Sequence, residues 1–209
     1  MRKKIRFYGQ HTRQTCGSAC MLMLLDYYSK ITYPTRKMEQ ELYSRYHVNG
    51  YKGIIGSAVA NCLSSPKNAL LVHLVQSFSD RMENRGELFT EKEYELLTAS
   101  YAMHLQACKD RIRFSPAVDF DGAFLMQALR DRKKIILECF IPEFEGEPPS
   151  VLHWIILDAF DEETGLFRVR DPNPQVKLLH LTAAELEAYM DTPIGKICIL
   201  VGDGTEENT

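Results

Sequence analysis

The chain has 209 residues, 45% of them hydrophobic and 25% charged, and a formal net charge of −3. That balance suits a globular chain of one domain or two intimate lobes, and it lacks the basic character of a nucleic-acid binder. No apolar run reaches the ~18 residues that a membrane span needs.

The N-terminal Arg2-Lys3-Lys4-Ile5-Arg6 cluster is not followed by an apolar h-region. It reads as a solvated end or edge strand, not a secretory signal, and with the Met1 start it sets the expectation of a cytoplasmic protein. A first long helix is expected over 16–29. Its run Met21-Leu22-Met23-Leu24-Leu25 makes it apolar nearly all round, which means buried. Cys16 opens that helix. The partially positive helix end favours a thiolate over a thiol. Thr15 is an acceptable N-cap, and Gly17 and Ser18 leave room for a substrate carbonyl close to the backbone.

Tyr33-Pro34-Thr35 breaks the chain before a helix over Arg36–Tyr46. A loop at 49–53 and a short helix over Gly56–Leu63 follow. Ser64-Ser65-Pro66 opens a further expected helix over 68–84. Thr90 and Glu93 form a capping box for a long helix over 91–111. Phe124, Leu125, Ala128 and Leu129 stand at helical spacing within 121–132. Strands are expected at 134–141, 152–160, Leu166–Arg170 and 196–201. Thr182 and Glu185 make a second capping box, for a helix running through Met190. The polar tail at 202–209 reads as disordered. The organisation is thus a helical lobe over 1–118, with a helical insertion at about 47–116, and a β-sheet lobe over 119–201.

A cysteine nucleophile needs a histidine and an orienting Asp or Asn far downstream. One place supplies both. The apolar run 153–160 suits a buried strand, 161–165 reads as a tight turn, and Leu166–Arg170 returns as a second strand that stops at Asp171-Pro172. Strands joined by a short turn pair antiparallel, so His153 and Asp171 lie at one end of a single hairpin. The order is nucleophile, base, orienting carboxylate. Each residue alone has an ordinary reading: a small core cysteine, a strand-end histidine, a turn-forming Asp before Pro172. Their joint order and context favour chemistry. His11 is nearer in sequence but has no strand to hold it. Cys20 falls one turn after Cys16 on the same face and reads as packing. Cys139 and Cys198 lie in apolar strands and read as core. No signal peptide accompanies the six cysteines, so reduced thiols are expected. His104 and Cys108 have i, i+4 spacing but no partner pair, so neither a metal nor another cofactor is expected.

Gln10 with five residues before Cys16-Gly17, the helix ending in Tyr27-Tyr28, and the late His153 and Asp171-Pro172 carry a resemblance. On these residues the chain resembles the papain-like cysteine peptidase superfamily. Within it, the chain is most similar to the bacterial peptidases that trim double-glycine leaders from bacteriocin-type peptides, and to their free-standing relatives. The resemblance covers roughly 6–30 and 120–200, and the stretch between Cys16 and His153 is longer than in that family. It implies an α+β, papain-like fold, with a helical lobe carrying the cysteine helix against a twisted antiparallel sheet lobe carrying His153 and Asp171. It implies Cys16 as nucleophile, His153 as general base, Asp171 as its orienter and Gln10 as oxyanion donor beside the Cys16 backbone N–H.

The expected function is a cysteine peptidase that cleaves a peptide or protein, with a glycine-rich cleavage site suggested by the resemblance, through an acyl-thioester. The chain carries no membrane span and no nucleotide-binding motif, so coupling to an exporter within it is not expected. Two alternatives stay open. Phytochelatin-synthase-like acyltransferases share the Gln-x5-Cys-Gly pattern and the Cys, His, Asp order, and a papain-fold binding module keeps the fold without the reaction. Glu143, Glu145 and Glu147 lead into His153 and suit either a basic substrate segment or a solvated loop.

Overall fold

A computed structural model of the protein describes residues 4–48, 51–76, 89–116, 118–142, 149–192 and 195–203. Helix α1, Cys16–Tyr27, is buried from Cys16 to Asp26, as its all-round apolar sequence demands. It ends where the chain takes a left-handed turn at Ser29, φ 59°. The buried Asp26 carboxylate is met by Arg6, whose Nε donates to Oδ2 at 2.8 Å. Helix α2, Arg36–Tyr46, starts at Thr35, whose hydroxyl accepts from the Met38 N–H. Strands β1, His47–Val48, and β2, Tyr51–Ile54, pair antiparallel, and α3, Gly56–Leu63, follows.

The next segment departs from the sequence expectation. Leu70–Gln76 is a strand, β3, where a helix over 68–84 was expected; 77–84 lie outside the described residues. Leu-Leu-Val-His-Leu-Val is a short apolar run, and period alone does not separate a buried strand from a buried helix. Neighbouring strands decide it. β3 is paired on both sides, antiparallel to β9 (Ile197–Asp203) and parallel to β4 (Ile112–Pro116). Between β3 and β4 the Thr90–Glu93 capping box forms as read, and α4 runs Glu91–Cys108, shorter than the expected 91–111. Among the described residues the insertion therefore contributes four strands, β1 to β4, as well as helices.

The second half follows the expected order: α5 (Gly122–Arg130), β5 (Lys134–Pro142), β6 (Pro149–Asp161), β7 (Leu166–Arg170), an additional short strand β8 (Leu178–Leu181) and α6 (Ala183–Met190), before β9 closes the chain. β9 takes in Gly202 and Asp203 from the expected disordered tail, and 204–209 lie outside the described residues. The main sheet has the order β4-β3-β9-β5-β6-β7-β8 and is antiparallel except for the β3–β4 pair. A bulge falls between Leu157 and Ala159 of β6, at Asp158.

The fold is α+β, with a core on each face of the sheet. One joins α1 and α3 to Trp154, Ile156, Ile136 and Ile199; the other joins α5 and α6 to Ile155, Leu157, Leu137 and Val169. Among the described residues no helix is long and apolar enough to cross a membrane.

Candidate active site

Cys16 is the first residue of α1 and is 5% exposed. The expected cap is not made. The Thr15 hydroxyl turns back to donate to Thr12 O at 3.0 Å and makes no cap hydrogen bond to the helix. The first amides of a helix have no intrahelical acceptor, so an open, partially positive helix end stands behind the sulfur. Gly17 is needed for the approach of β6. A Cβ there would stand 3.2 Å from Trp154 Cδ1 and 3.4 Å from Ile54 Cβ. The Trp154 indole N–H donates to Ile54 O at 2.8 Å, which fixes the ring beside the start of α1.

Trp154 follows His153 on β6, where His153 stands opposite Cys139 of β5. β7 pairs with β6 as far as Ile156–Arg170, and Asp171 comes next. The hairpin thus brings the two side chains together: His153 Nε2 lies 2.9 Å from Asp171 Oδ1, with both residues buried. Asp171 Oδ1 also accepts from the Asn173 N–H at 2.7 Å, and the Asp171 N–H donates to Lys177 O at 3.1 Å. The carboxylate is therefore locked by its own loop.

With Nε2 on Asp171, Nδ1 is the ring nitrogen left for Cys16. Burial pulls the His153 pKa down. Hydrogen bonds to Asp171 and to Cys16, and the charges of both, outweigh it and raise the value to about 10. The acid beside the ring thus favours its protonated form.

Gln10 approaches from the N-terminal segment. Its backbone N–H donates to Pro172 O at 2.8 Å, directly beside Asp171. Its side-chain Oε1 is buried and has no hydrogen-bond partner among the described residues. Such an unsatisfied polar atom is rare and often marks a ligand or water position. His11, the histidine set aside from the sequence, is engaged by a carboxylate on α2. Its Nδ1 lies 2.5 Å from Glu39 Oε2.

Glu39 is fully buried on α2, and nothing in the sequence reading singled it out. The signal was present: Glu39 shares the i, i+3, i+4, i+7 stripe with Leu42, Tyr43 and Tyr46, an acid on an apolar face.

All six cysteines are free and buried. Burial raises the thiol pKa of Cys20, Cys139, Cys198 and Cys108, and holds Cys62 at about 11. The Cys20 thiol, one helical turn after Cys16, donates to Trp154 O at 3.3 Å. His104 Nδ1 lies 3.3 Å from Asn61 Nδ2. Among the described residues no group of three His, Cys, Asp or Glu side chains is arranged to hold a metal ion.

A cavity of about 660 Å³ adjoins the site, between Thr12–Thr15 and Tyr43 on α2. A larger one, about 940 Å³, opens at Tyr27 and Tyr28, at the far end of α1 from Cys16, so size does not mark the chemistry here. The glutamates at 143, 145 and 147 lie outside the described residues.

The model of the Peptidase_C39 like family matches residues 2–190. Among curated proteins there is no match. Solved structures similar to this chain include the peptidase domain of Streptococcus ComA, a bi-functional ABC transporter involved in a quorum sensing pathway. It is 9% identical, covers 95% of this chain and 99% of that one, and gives a TM-score of 0.45. A double glycine motif protease from an AMS/PCAT transporter, in complex with the leader peptide, is 14% identical over 96% of this chain and 93% of that one, with a TM-score of 0.46. The peptidase domain of Streptococcus mutans ComA is 8% identical over 94% and 98%, with a TM-score of 0.41.

Proposed function

Because the chain belongs to the Peptidase_C39 like family, we propose that it is a cysteine peptidase working through Cys16, His153, Asp171 and Gln10. The observation that carries this is the placement of His153, with Nε2 on Asp171 at 2.9 Å and the Cys16 sulfur as the ring's other partner. An imidazolium beside a thiol favours the thiolate, which is the nucleophile. The thiolate attacks the substrate carbonyl carbon. The carbonyl π electrons move onto oxygen, which takes hydrogen bonds from the Cys16 N–H and the Gln10 amide. Collapse of the adduct breaks the C–N bond, and His153 gives its proton to the leaving amine. An acyl-thioester on Cys16 remains. Neutral His153 then takes a proton from water, hydroxide adds to the thioester carbonyl, and the acid leaves as the thiolate re-forms.

Asp171 holds the ring tautomer throughout and stabilises the imidazolium. The general acid–base step contributes about 10²–10⁴ in rate, and one oxyanion donor about 10²–10³. The substrate is a peptide or protein segment. A glycine-rich cleavage site follows from the resemblance to double-glycine leader peptidases.

Limiting iodoacetamide at pH 7, followed by peptide mapping, tests the assignment. Cys16 is expected to take the label before the five other buried thiols, and Cys16→Ala to abolish cleavage of acetyl-Gly-Gly-aminomethylcoumarin. Labelling spread evenly over the cysteines, or cleavage that survives Cys16→Ala, overturns it.

A further inference from the structure

Besides Asp26, which holds Arg6, a second buried acid fastens the N-terminal segment that carries Gln10. Glu39 is 0% exposed and sits on α2. Its Oε2 accepts from the Tyr8 hydroxyl at 2.8 Å and lies 2.5 Å from His11 Nδ1, and its Oε1 accepts from the His11 N–H at 2.9 Å. These three bonds all go to residues within three positions of Gln10. The Gln10 N–H itself goes to Pro172 O at 2.8 Å. Consecutive amides are therefore tied to two different elements: residue 11 to α2, and residue 10 to the loop that carries Asp171.

Burying a carboxylate is costly, and a well-packed apolar residue in its place is often neutral or stabilising. Fold stability alone is a weak reason for an acid at this position. Burial and the bond to Glu39 also push the Tyr8 phenol pKa upward, which keeps that group a donor. The clamp thus has two good donors and a histidine, and between them lies Gln10, whose side-chain Oε1 is buried and without a hydrogen-bond partner among the described residues.

We infer that Glu39 is a positioning residue for the oxyanion side of the site, holding residues 8–11 so that the Gln10 amide is presented at the Cys16 carbonyl-binding position. This rests on the peptidase reading above and deepens it. Glu39 does not touch the reacting atoms; it acts through Gln10. Displacement of a catalytic group by about 1 Å can cost 10²-fold, so loss of the clamp approaches the loss of Gln10 itself.

The test compares Glu39→Ala, Glu39→Gln, Gln10→Ala and the Glu39→Ala/Gln10→Ala pair, on acetyl-Gly-Gly-aminomethylcoumarin. Gln10→Ala is expected to lower kcat about 10²-fold, and Glu39→Ala by about 10- to 50-fold with KM changed less than about threefold. The double variant is expected to fall no further than Gln10→Ala, since both act on one interaction. Glu39→Gln still offers an oxygen to the His11 N–H and is expected to recover most of the loss. Iodoacetamide alkylation of Cys16 needs the thiolate but no oxyanion donor, so its rate should stay within about twofold of wild type throughout.

Multiplying losses in the double variant, or alkylation that falls with turnover, overturn the positioning role and leave the peptidase reading standing. A wild type that neither cleaves a peptide bond nor reacts faster at Cys16 than a free thiol overturns both. Independently of any substrate, hydrogen exchange at the Gln10 amide should rise in Glu39→Ala and return toward wild type in Glu39→Gln; unchanged exchange refutes the clamp.

Discussion

His153 is held between an acid and a thiol inside the protein, and its titration can be followed in stability as well as in rate. Its folded pKa of about 10 lies above the ordinary value near 6.5. Protonation therefore favours the folded state. The contribution is fully present below about pH 6.5 and is lost as pH rises through about 10. A shift of this size corresponds to roughly 5 kcal/mol. Asp171→Asn removes one of the groups that raise the pKa. Urea midpoints at pH 6 and pH 10.5 should separate more in wild type than in Asp171→Asn, and the alkaline limb of kcat/KM should move down by at least about one unit in the variant. Superimposable profiles would refute a charged Asp171 as the group that holds the proton on His153. The residues of this cluster were legible because each is announced locally: a cysteine opening an apolar helix, a histidine opening an apolar run, an Asp-Pro after the return strand. Glu39 announces only its burial, as an acid on the apolar stripe of α2; its partners, Tyr8 and His11, come from a segment some thirty residues earlier in the chain.

Elements were legible where the sequence carries its own start and stop. Both Thr/Glu capping boxes form as read, and the β6–β7 hairpin forms around its turn at 161–165. β3 failed the same reading because its boundaries are set by β9 and β4, not by its own residues. Packing between elements explains Gly17 in the same way. Alanine is the better helix former by about 1 kcal/mol in a helix interior, less in a first turn. Its Cβ would press Trp154 Cδ1 at 3.2 Å, on a ring pinned through its N–H to Ile54 O. Crowding of a pinned neighbour typically costs about 1–3 kcal/mol, so it wins. Gly17→Ala should lower the melting temperature by about 2–6 °C, read by differential scanning calorimetry. A rise instead would mean that Trp154 yields and does not fix the start of α1.

At the scale of the whole molecule, the sheet joins what the sequence divided. From β3 the ladder passes through β9 and β5 to β6, the strand of His153. Leu74 on β3 is fully buried, in the same core cluster as Cys16 and Trp154. If the insertion were an appended lobe, a cavity at Leu74 would loosen that lobe and spare the site. A continuous sheet predicts the opposite. Leu74→Ala should cost about 2–5 kcal/mol, a drop of roughly 5–15 °C in melting temperature. Trp154 is the one tryptophan of the chain, so its fluorescence reports on the site without labelling. The fluorescence transition, the far-UV circular dichroism transition and the loss of selective alkylation at Cys16 should move together in the variant, as one cooperative unit requires. A variant in which circular dichroism melts early while the Trp154 signal and Cys16 selectivity hold at wild-type temperatures would separate β3 from the site and refute the single unit.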